Sequence, residues 1–195
     1  MELLRNRKIA ILITVVAAIL ATLLGISGTA NRDSRDVEAM FYNGVYLKDE
    51  GYTQPGIDSH LNNAANAALG LATILEKYPE LESQAGELIR ARWDLIASAG
   101  IGEKSAANLE MCDRFYNLLD ATVNTWLSVP ITDRDSDALA HYSETFRSAS
   151  NTISSSRYND EVAAYLGSRS FIVRVIGIIV PIKEPDYFTA PPIVR

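Results

Sequence analysis

The feature that most limits the fold of this chain is an uninterrupted apolar run near its N-terminus, IAILITVVAAILATLLGI, from Ile9 to Ile26. The run holds 18 residues without a charge. As an α-helix it would be about 27 Å long, close to the hydrocarbon thickness of a bilayer. A helix also satisfies its own backbone hydrogen bonds in lipid. The run therefore predicts a transmembrane helix over 9–26, preceded by a short tail over 1–8.

The charges beside this run predict its orientation. Three Lys or Arg residues lie in 5–8 and two lie in 32–35, which favours a cytoplasmic N-terminus and an extracytoplasmic body. A cleaved signal peptide is the competing interpretation, since Gly28 and Ala30 could precede a cut. The apolar run exceeds the usual length of a signal-peptide core, which favours an uncleaved anchor. Either interpretation leaves 37–195 outside the cytoplasm.

Beyond a polar linker predicted over 27–36, apolar residues recur three and four positions apart, as in amphipathic helices. The first set, Val37, Met40, Phe41 and Val45, predicts a short helix that could also continue the membrane helix, and EGYTQPG, 50–56, predicts a turn after it. The buried faces are predicted to hold Leu61, Ala65, Ala68, Ala72 and Leu75; Leu81, Ala85, Leu88, Trp93 or the stem of Arg92, Leu95 and Ile96; Leu109, Cys112, Tyr116, Leu119, Val123 and Trp126; and Leu139, Tyr142, Phe146, Ala149 and Ile153. The period slips at SNTISSSR, 150–157, which predicts a bend, a phase shift or a short break before Tyr158, Val162 and Tyr165.

Turn signals separate these patterns, and no stretch up to residue 170 alternates with period two over more than four residues. The predicted fold class is therefore all-α: an N-terminal transmembrane helix followed by an antiparallel, up-and-down helical bundle of four to five helices over 37–170. Residues 171–195 are predicted to be an apolar, then proline-rich, C-terminal tail packed on the bundle.

The apolar part of this tail, FIVRVIGIIVPI over 171–182, is too short to span a bilayer. It could cover the core of the bundle, or it could form an exposed apolar patch for self-association or for contact with the membrane. The following KEPDYFTAPP is expected to be extended because of its prolines, and Phe188 could anchor it in a groove.

Tyrosine is followed by asparagine three times, at Tyr42, Tyr116 and Tyr158. A tyrosine ring can fill a bundle core while its hydroxyl reaches a carbonyl, and the asparagine at the edge of the seam can bond an adjacent helix. The repeated pair is therefore interpreted as architectural rather than catalytic.

The residue types that carry chemistry are sparse, and no catalytic, cofactor or metal site is predicted. GIGEKS, 100–105, departs from the phosphate-loop pattern, since Glu103 stands where that pattern requires glycine. The two histidines, His60 and His141, lack metal-ligand spacing, and the single Cys112 is expected to be a small buried hydrophobe. A net charge of −6 without a basic stripe in the body argues against nucleic acid as a partner.

Three segments together resemble the LemA family of bacterial membrane proteins: EKYPELESQAGELIRARWDL, SRYNDEVAAY and PDYF. The matching positions are Tyr78, Pro79 and Leu81; Arg157, Tyr158 and Asn159; and Phe171, Pro185, Tyr187 and Phe188. The resemblance implies a single-pass bacterial membrane protein with a helical bundle and no established catalytic activity. Some members are placed with an extracellular N-terminus, and relatives in magnetosome-forming bacteria are linked to membrane organisation.

These observations favour a membrane-anchored scaffold or protein-interaction module of the bacterial envelope, which is not an enzyme. Its expected partners are the lipid bilayer, through the N-terminal helix, and either a second copy or an envelope protein. The alternative is a ligand-binding or sensory bundle with an interhelical pocket lined by Tyr116, Trp126, Tyr142 and Tyr158.

Overall fold

The structure is a computed structural model that describes residues 7–125 and 131–191. Within these ranges the protein is predominantly helical, which confirms the predicted all-α class. In chain order the elements are α1 (Arg7–Asn43), β1 (Val45–Leu47), β2 (Tyr52–Gln54), α2 (Ile57–Leu75), α3 (Glu82–Ala97), α4 (Ile101–Thr125), α5 (Asp133–Ser154), α6 (Tyr158–Ser168) and α7 (Phe171–Ile179).

The chain forms two compact units. One, here called the apolar-helix unit, comprises Met1–Glu38 with Glu161–Pro185; the other, the bundle unit, comprises Ala39–Asp160 with Asp186–Arg195. The division differs from the predicted boundaries at 37 and 170. The apolar part of the predicted tail belongs to the first unit, while its last residues belong to the second.

Helix α1 continues through the segment that was predicted to be a linker. Residues 27–36 are helical, since α1 runs unbroken from Arg7 to Asn43. Their polar side chains do not end the helix because no proline interrupts it, and the Arg35 Nε donates to the Asn31 carbonyl at 3.2 Å. Within the apolar run, Thr14 and Thr22 donate their hydroxyls to the carbonyls of the residues four positions earlier.

Helix α2 is the central helix of the bundle and packs against α3 and α5. Its predicted face is confirmed, since Leu61, Ala65, Ala68, Ala72 and Leu75 are all buried. Alanines on this face permit close approach of the neighbouring helices. The approach is closest at Gly70, where an added Cβ would collide with the ring of Tyr142 on α5.

The predicted face of α4 is wrong by one residue. Leu109 and Val123 are 37% and 63% exposed, while the buried residues of α4 are Ile101, Ser105, Asn108, Met111, Cys112, Phe115, Leu118 and Thr122. Both stripes have helical spacing, so periodicity alone could not choose between them. The choice is made by Phe115, whose ring stacks on Phe146 of α5 with centroids 3.7 Å apart.

Three further details differ from the sequence-based expectations. On α3, Trp93 and Ile96 are 57% and 39% exposed rather than buried. The period slip is a short break, since α5 ends at Ser154 and α6 begins at Tyr158. A two-stranded hairpin follows α1 where only a turn was predicted. Strands of three residues leave no alternating pattern, although the positive φ angles of Gly44 and Gly51 mark the bends.

Candidate functional site

The most distinctive arrangement in the bundle unit is the docking of residues 186–191 against its core. Phe188 is only 1% exposed, so the predicted anchoring of this residue in a groove is confirmed. Its ring lies 5.5 Å from that of Phe41, which in turn makes an edge contact at 5.6 Å with Tyr158. Phe41 and Tyr158 are completely buried. The three rings join the end of α1, the start of α6 and the C-terminal segment in one aromatic cluster.

Side chains bind the backbone of this segment much as a neighbouring strand would. Asn159 accepts from the Phe188 N–H at 3.0 Å and donates to its carbonyl at 2.7 Å. Ser105 on α4 accepts from the Thr189 N–H at 2.9 Å, and the Tyr158 hydroxyl donates to the Asp186 carbonyl at 2.8 Å. Backbone groups that the core would otherwise leave unpaired are thereby satisfied.

At Tyr158 and Asn159 the Tyr–Asn pair has the predicted structural role. The predicted partner of the asparagine is wrong, because Asn159 binds the backbone of the C-terminal segment and not an adjacent helix. The other two copies behave differently: Tyr42 is 43% exposed, and Asn117 donates to Asp113 of its own helix at 3.0 Å. Two of the three segments on which the family resemblance rests, SRYNDEVAAY and PDYF, meet in this cluster.

The polar residues of GIGEKS, 100–105, form structural contacts. Lys104 forms an ion pair with Asp58 of α2 at 2.6 Å, and its side chain is only 16% exposed. Glu103 accepts from the backbone N–H groups of Ala99 and Gly100, which caps the start of α4. With Ser105 bound to Thr189, this segment connects α4 to α2 and to the C-terminal segment.

Both histidines line one open groove between α2 and α5. The groove has a volume of about 640 Å³. Its lining residues are His60, Asn63, Asn66, Ala67, His141, Tyr142, Glu144, Thr145, Ser148, Ala149 and Thr152. The Nε2 atom of His60 is buried without a hydrogen-bond partner, and burial lowers the pKa of this imidazole. No local pattern predicts this convergence, since the two histidines are far apart in the chain.

The four aromatic residues proposed to line a single pocket do not do so. Tyr142 lines the α2–α5 groove, whereas Tyr116 lines a separate groove of about 500 Å³ between α4 and α5. Tyr158 is fully buried in the aromatic cluster, and Trp126 lies outside the described residues. The alternative function must therefore depend on different residues from those first named.

The surroundings of Cys112 keep its thiol in an unreactive form. Cys112 is buried, as predicted, and burial raises the pKa of its thiol to about 12, which keeps it protonated. Across residues 7–125 and 131–191, no cluster of three or more His, Cys, Asp or Glu could hold a metal ion.

Large aromatic side chains are exposed on the bundle unit. Tyr46 and Tyr52 of the hairpin are 60% and 48% exposed, and Tyr187 is 50% exposed. Tyr42, which is 43% exposed, and Tyr187 are the chain neighbours of Phe41 and Phe188, whose ring centroids lie 5.5 Å apart. Tyrosine is enriched at protein interfaces.

Comparison with known proteins adds no relative to this description: no protein-family model, curated protein or solved structure matches the chain.

Proposed function

We propose that this protein is a single-pass, membrane-anchored helical bundle of the LemA type, which acts as a scaffold or protein-interaction module and not as an enzyme. The proposal includes an uncleaved anchor over 9–26 in a bacterial cell membrane, with the bundle on the extracytoplasmic side.

The observation that best supports the proposed membrane anchor is the exposure of α1. Among the described residues it is the one helix that is by itself long and apolar enough to cross a membrane, and none of its most apolar stretch is buried. Leu12, Leu20 and Leu24 are between 53% and 63% exposed. The core helix of a water-soluble protein would be covered by neighbouring helices. Because exposing an apolar helix of this length to water is unfavourable, we propose that lipid surrounds it.

The interaction role is supported by how the bundle unit uses its side chains. Cys112 is buried and Lys104, Glu103 and Ser105 are paired with structural partners, while Tyr46 and Tyr52 of the hairpin are exposed. The charge count near the apolar run supports the orientation. The contact between Tyr158, Asn159 and Phe188 supports the family resemblance, because the quoted segments cooperate in one structural cluster.

Anchoring and orientation are tested by extraction and thiol labelling. The full chain is expected to stay in the membrane at alkaline pH. In a Cys112→Ala background, a membrane-impermeant maleimide is expected to label Val123→Cys in spheroplasts and to label Lys8→Cys only after permeabilisation. Release at alkaline pH would overturn the anchor, whereas the reverse labelling pattern would overturn only the orientation.

Self-association is tested by energy transfer between donor- and acceptor-labelled copies in vesicles at low protein density. Transfer above that of an unrelated single-pass protein is expected, with loss on Tyr46→Ser and Tyr52→Ser. Val123→Ser, at another exposed position, is the matched control and should preserve it. Absence of transfer would exclude a second copy as the partner and leave an envelope protein.

A ligand-sensing role is the second candidate, because the α2–α5 groove gathers two histidines, two asparagines and four hydroxyl side chains. A ligand bound there should raise the melting temperature, and the rise should grow with the logarithm of the ligand concentration once that concentration exceeds the Kd. Thermal unfolding with a panel of small polar compounds tests this, with Asn63→Leu expected to abolish any rise.

A further inference from the structure

We infer that α7 is an interfacial helix, which lies at the boundary between lipid headgroups and acyl chains beside the membrane-spanning part of α1. This inference rests on the proposed membrane anchor. It assigns a second lipid-binding surface to the apolar-helix unit.

Helix α7 has apolar residues on two faces, and only one face is covered. Ile176 is 5% exposed, while Phe171, Ile172, Ile178 and Ile179 are between 62% and 85% exposed. Val175, between them at helical spacing, is 39% exposed. Helices that are apolar all round are normally enclosed by protein or lipid, and a contiguous patch of this kind marks an interaction surface.

The position of α7 beside α1 selects lipid as the occupant. Val173 and Ser170, at the start of α7, line a cleft with Gly25, Ile26 and Thr29 of α1. These α1 residues lie at the end of the apolar run. The start of α7 therefore lies beside the end of the apolar run.

The chain after α7 marks the polar side of the same boundary. The Lys183 N–H donates to the Asn31 side chain at 2.7 Å, and its ammonium pairs with Glu38 at 2.8 Å. Asn31 lies five residues beyond Ile26, or about 7.5 Å along a helix. That rise is comparable to the roughly 5–10 Å depth over which interfacial helices are buried.

The geometry and charge of α7 also fit an interfacial helix. Near the end of α6, the Tyr165 hydroxyl donates to the Ala30 carbonyl of α1 at 2.8 Å, which holds the helix before α7 against α1. The single charge within α7 is Arg174, which is exposed and can pair with lipid phosphates.

The test is depth-dependent fluorescence of the full chain in vesicles of phosphatidylethanolamine and phosphatidylglycerol. An environment-sensitive dye is attached at Ile178→Cys in a Cys112→Ala background. Its emission is expected to shift to shorter wavelength, to be quenched by spin-labelled lipid and to resist iodide. Val123→Cys, at an exposed apolar position of the bundle unit, is the matched control and should respond to iodide alone.

A third label, Ile13→Cys, separates this inference from the anchor. If Ile13 responds to the lipid quencher and Ile178 responds to iodide, α7 lies in water and the inference is overturned while the anchor stands. A blue-shifted Ile178 label that neither quencher reaches would mean that a second copy covers α7, which also overturns it. An aqueous Ile13 label would overturn the anchor and the inference together.

Discussion

Helices α1 and α2 are both rich in apolar residues, yet their environments are opposite. In α2, nine of 19 residues are buried, all within the bundle, while asparagines at 62, 63 and 66 lie on its outer side. In α1, none of the most apolar stretch is buried. The difference lies in how apolar residues are distributed: α2 confines them to one face, which other helices can cover, whereas residues 9–26 are apolar all round. Total hydrophobicity alone would not separate a core helix from a membrane helix.

The largest effect is expected from introducing charged residues into the apolar part of α1. Val16→Lys with Ile19→Lys should release the protein from the membrane, since each lysine near the centre of a span costs about 2.5–3.5 kcal/mol on insertion scales. Alkaline extraction measures the effect, and Val123→Lys in the bundle unit should leave extraction unchanged. A doubly substituted protein that still resists extraction would show that α1 is not the anchor.

A second change tests whether the bundle depends on its C-terminal segment. Phe188→Ala should lower the free energy of unfolding by about 3–5 kcal/mol, because it leaves a cavity among buried rings. Tyr187→Ala removes the adjacent, half-exposed aromatic and should change it by less than about 1 kcal/mol. Urea unfolding in detergent, followed by circular dichroism, gives both values; equal losses would mean that Phe188 is not a core residue.

The close approach of α2 and α5 is tested by two glycine substitutions that should change the free energy of unfolding in opposite directions. Gly70→Ala should destabilise the bundle by about 1–3 kcal/mol, since its methyl group meets the Tyr142 ring. Gly86→Ala on α3 meets no neighbour and should stabilise by roughly 0.5–1 kcal/mol, the usual gain in a helix. The same unfolding curves are compared, and a stabilising Gly70→Ala would contradict the packing described.

The smallest expected effect is a pH dependence from His60. Burial lowers the pKa of this imidazole in the folded state below its ordinary value of 6.5. The unfolded chain therefore binds the proton more readily, so stability is fully present above about pH 6.5 and falls as the pH drops through the lowered pKa. Melting temperatures between pH 7.5 and 5 should fall less in His60→Asn; an identical fall would assign the dependence to other groups.

Much of the fold was predictable because it depends on local patterns. The apolar run of α1, the buried face of α2 and the cap of α5 at Thr132, whose side chain accepts from the Asp135 N–H, all have signals within one helix. The face of α4 could not be chosen locally, since two stripes fit the same period and the stacking of Phe115 on Phe146 decides between them. Residues 27–36 were predicted to be a linker because they are polar, but polar residues do not by themselves end a helix, and α1 continues through them.

The candidate sites were less predictable because they depend on contacts between distant segments. The sequence indicated that Phe188 anchors a tail, but not that Asn159 would pair with its backbone. Likewise, His60 and His141 gave no local hint that they share a groove. Such sites require the order and rotation of packed helices, which a single sequence states only weakly.

The docking of residues 186–191 has a consequence for biosynthesis. The ribosome makes this segment after every helix of the bundle unit, yet Phe41, made among the first, packs against it. The bundle must therefore pass through a stage in which its helices exist and its aromatic core is open. During translation that gap would expose Phe41 and Tyr158 to proteases and chaperones, and only the arrival of Phe188 closes it.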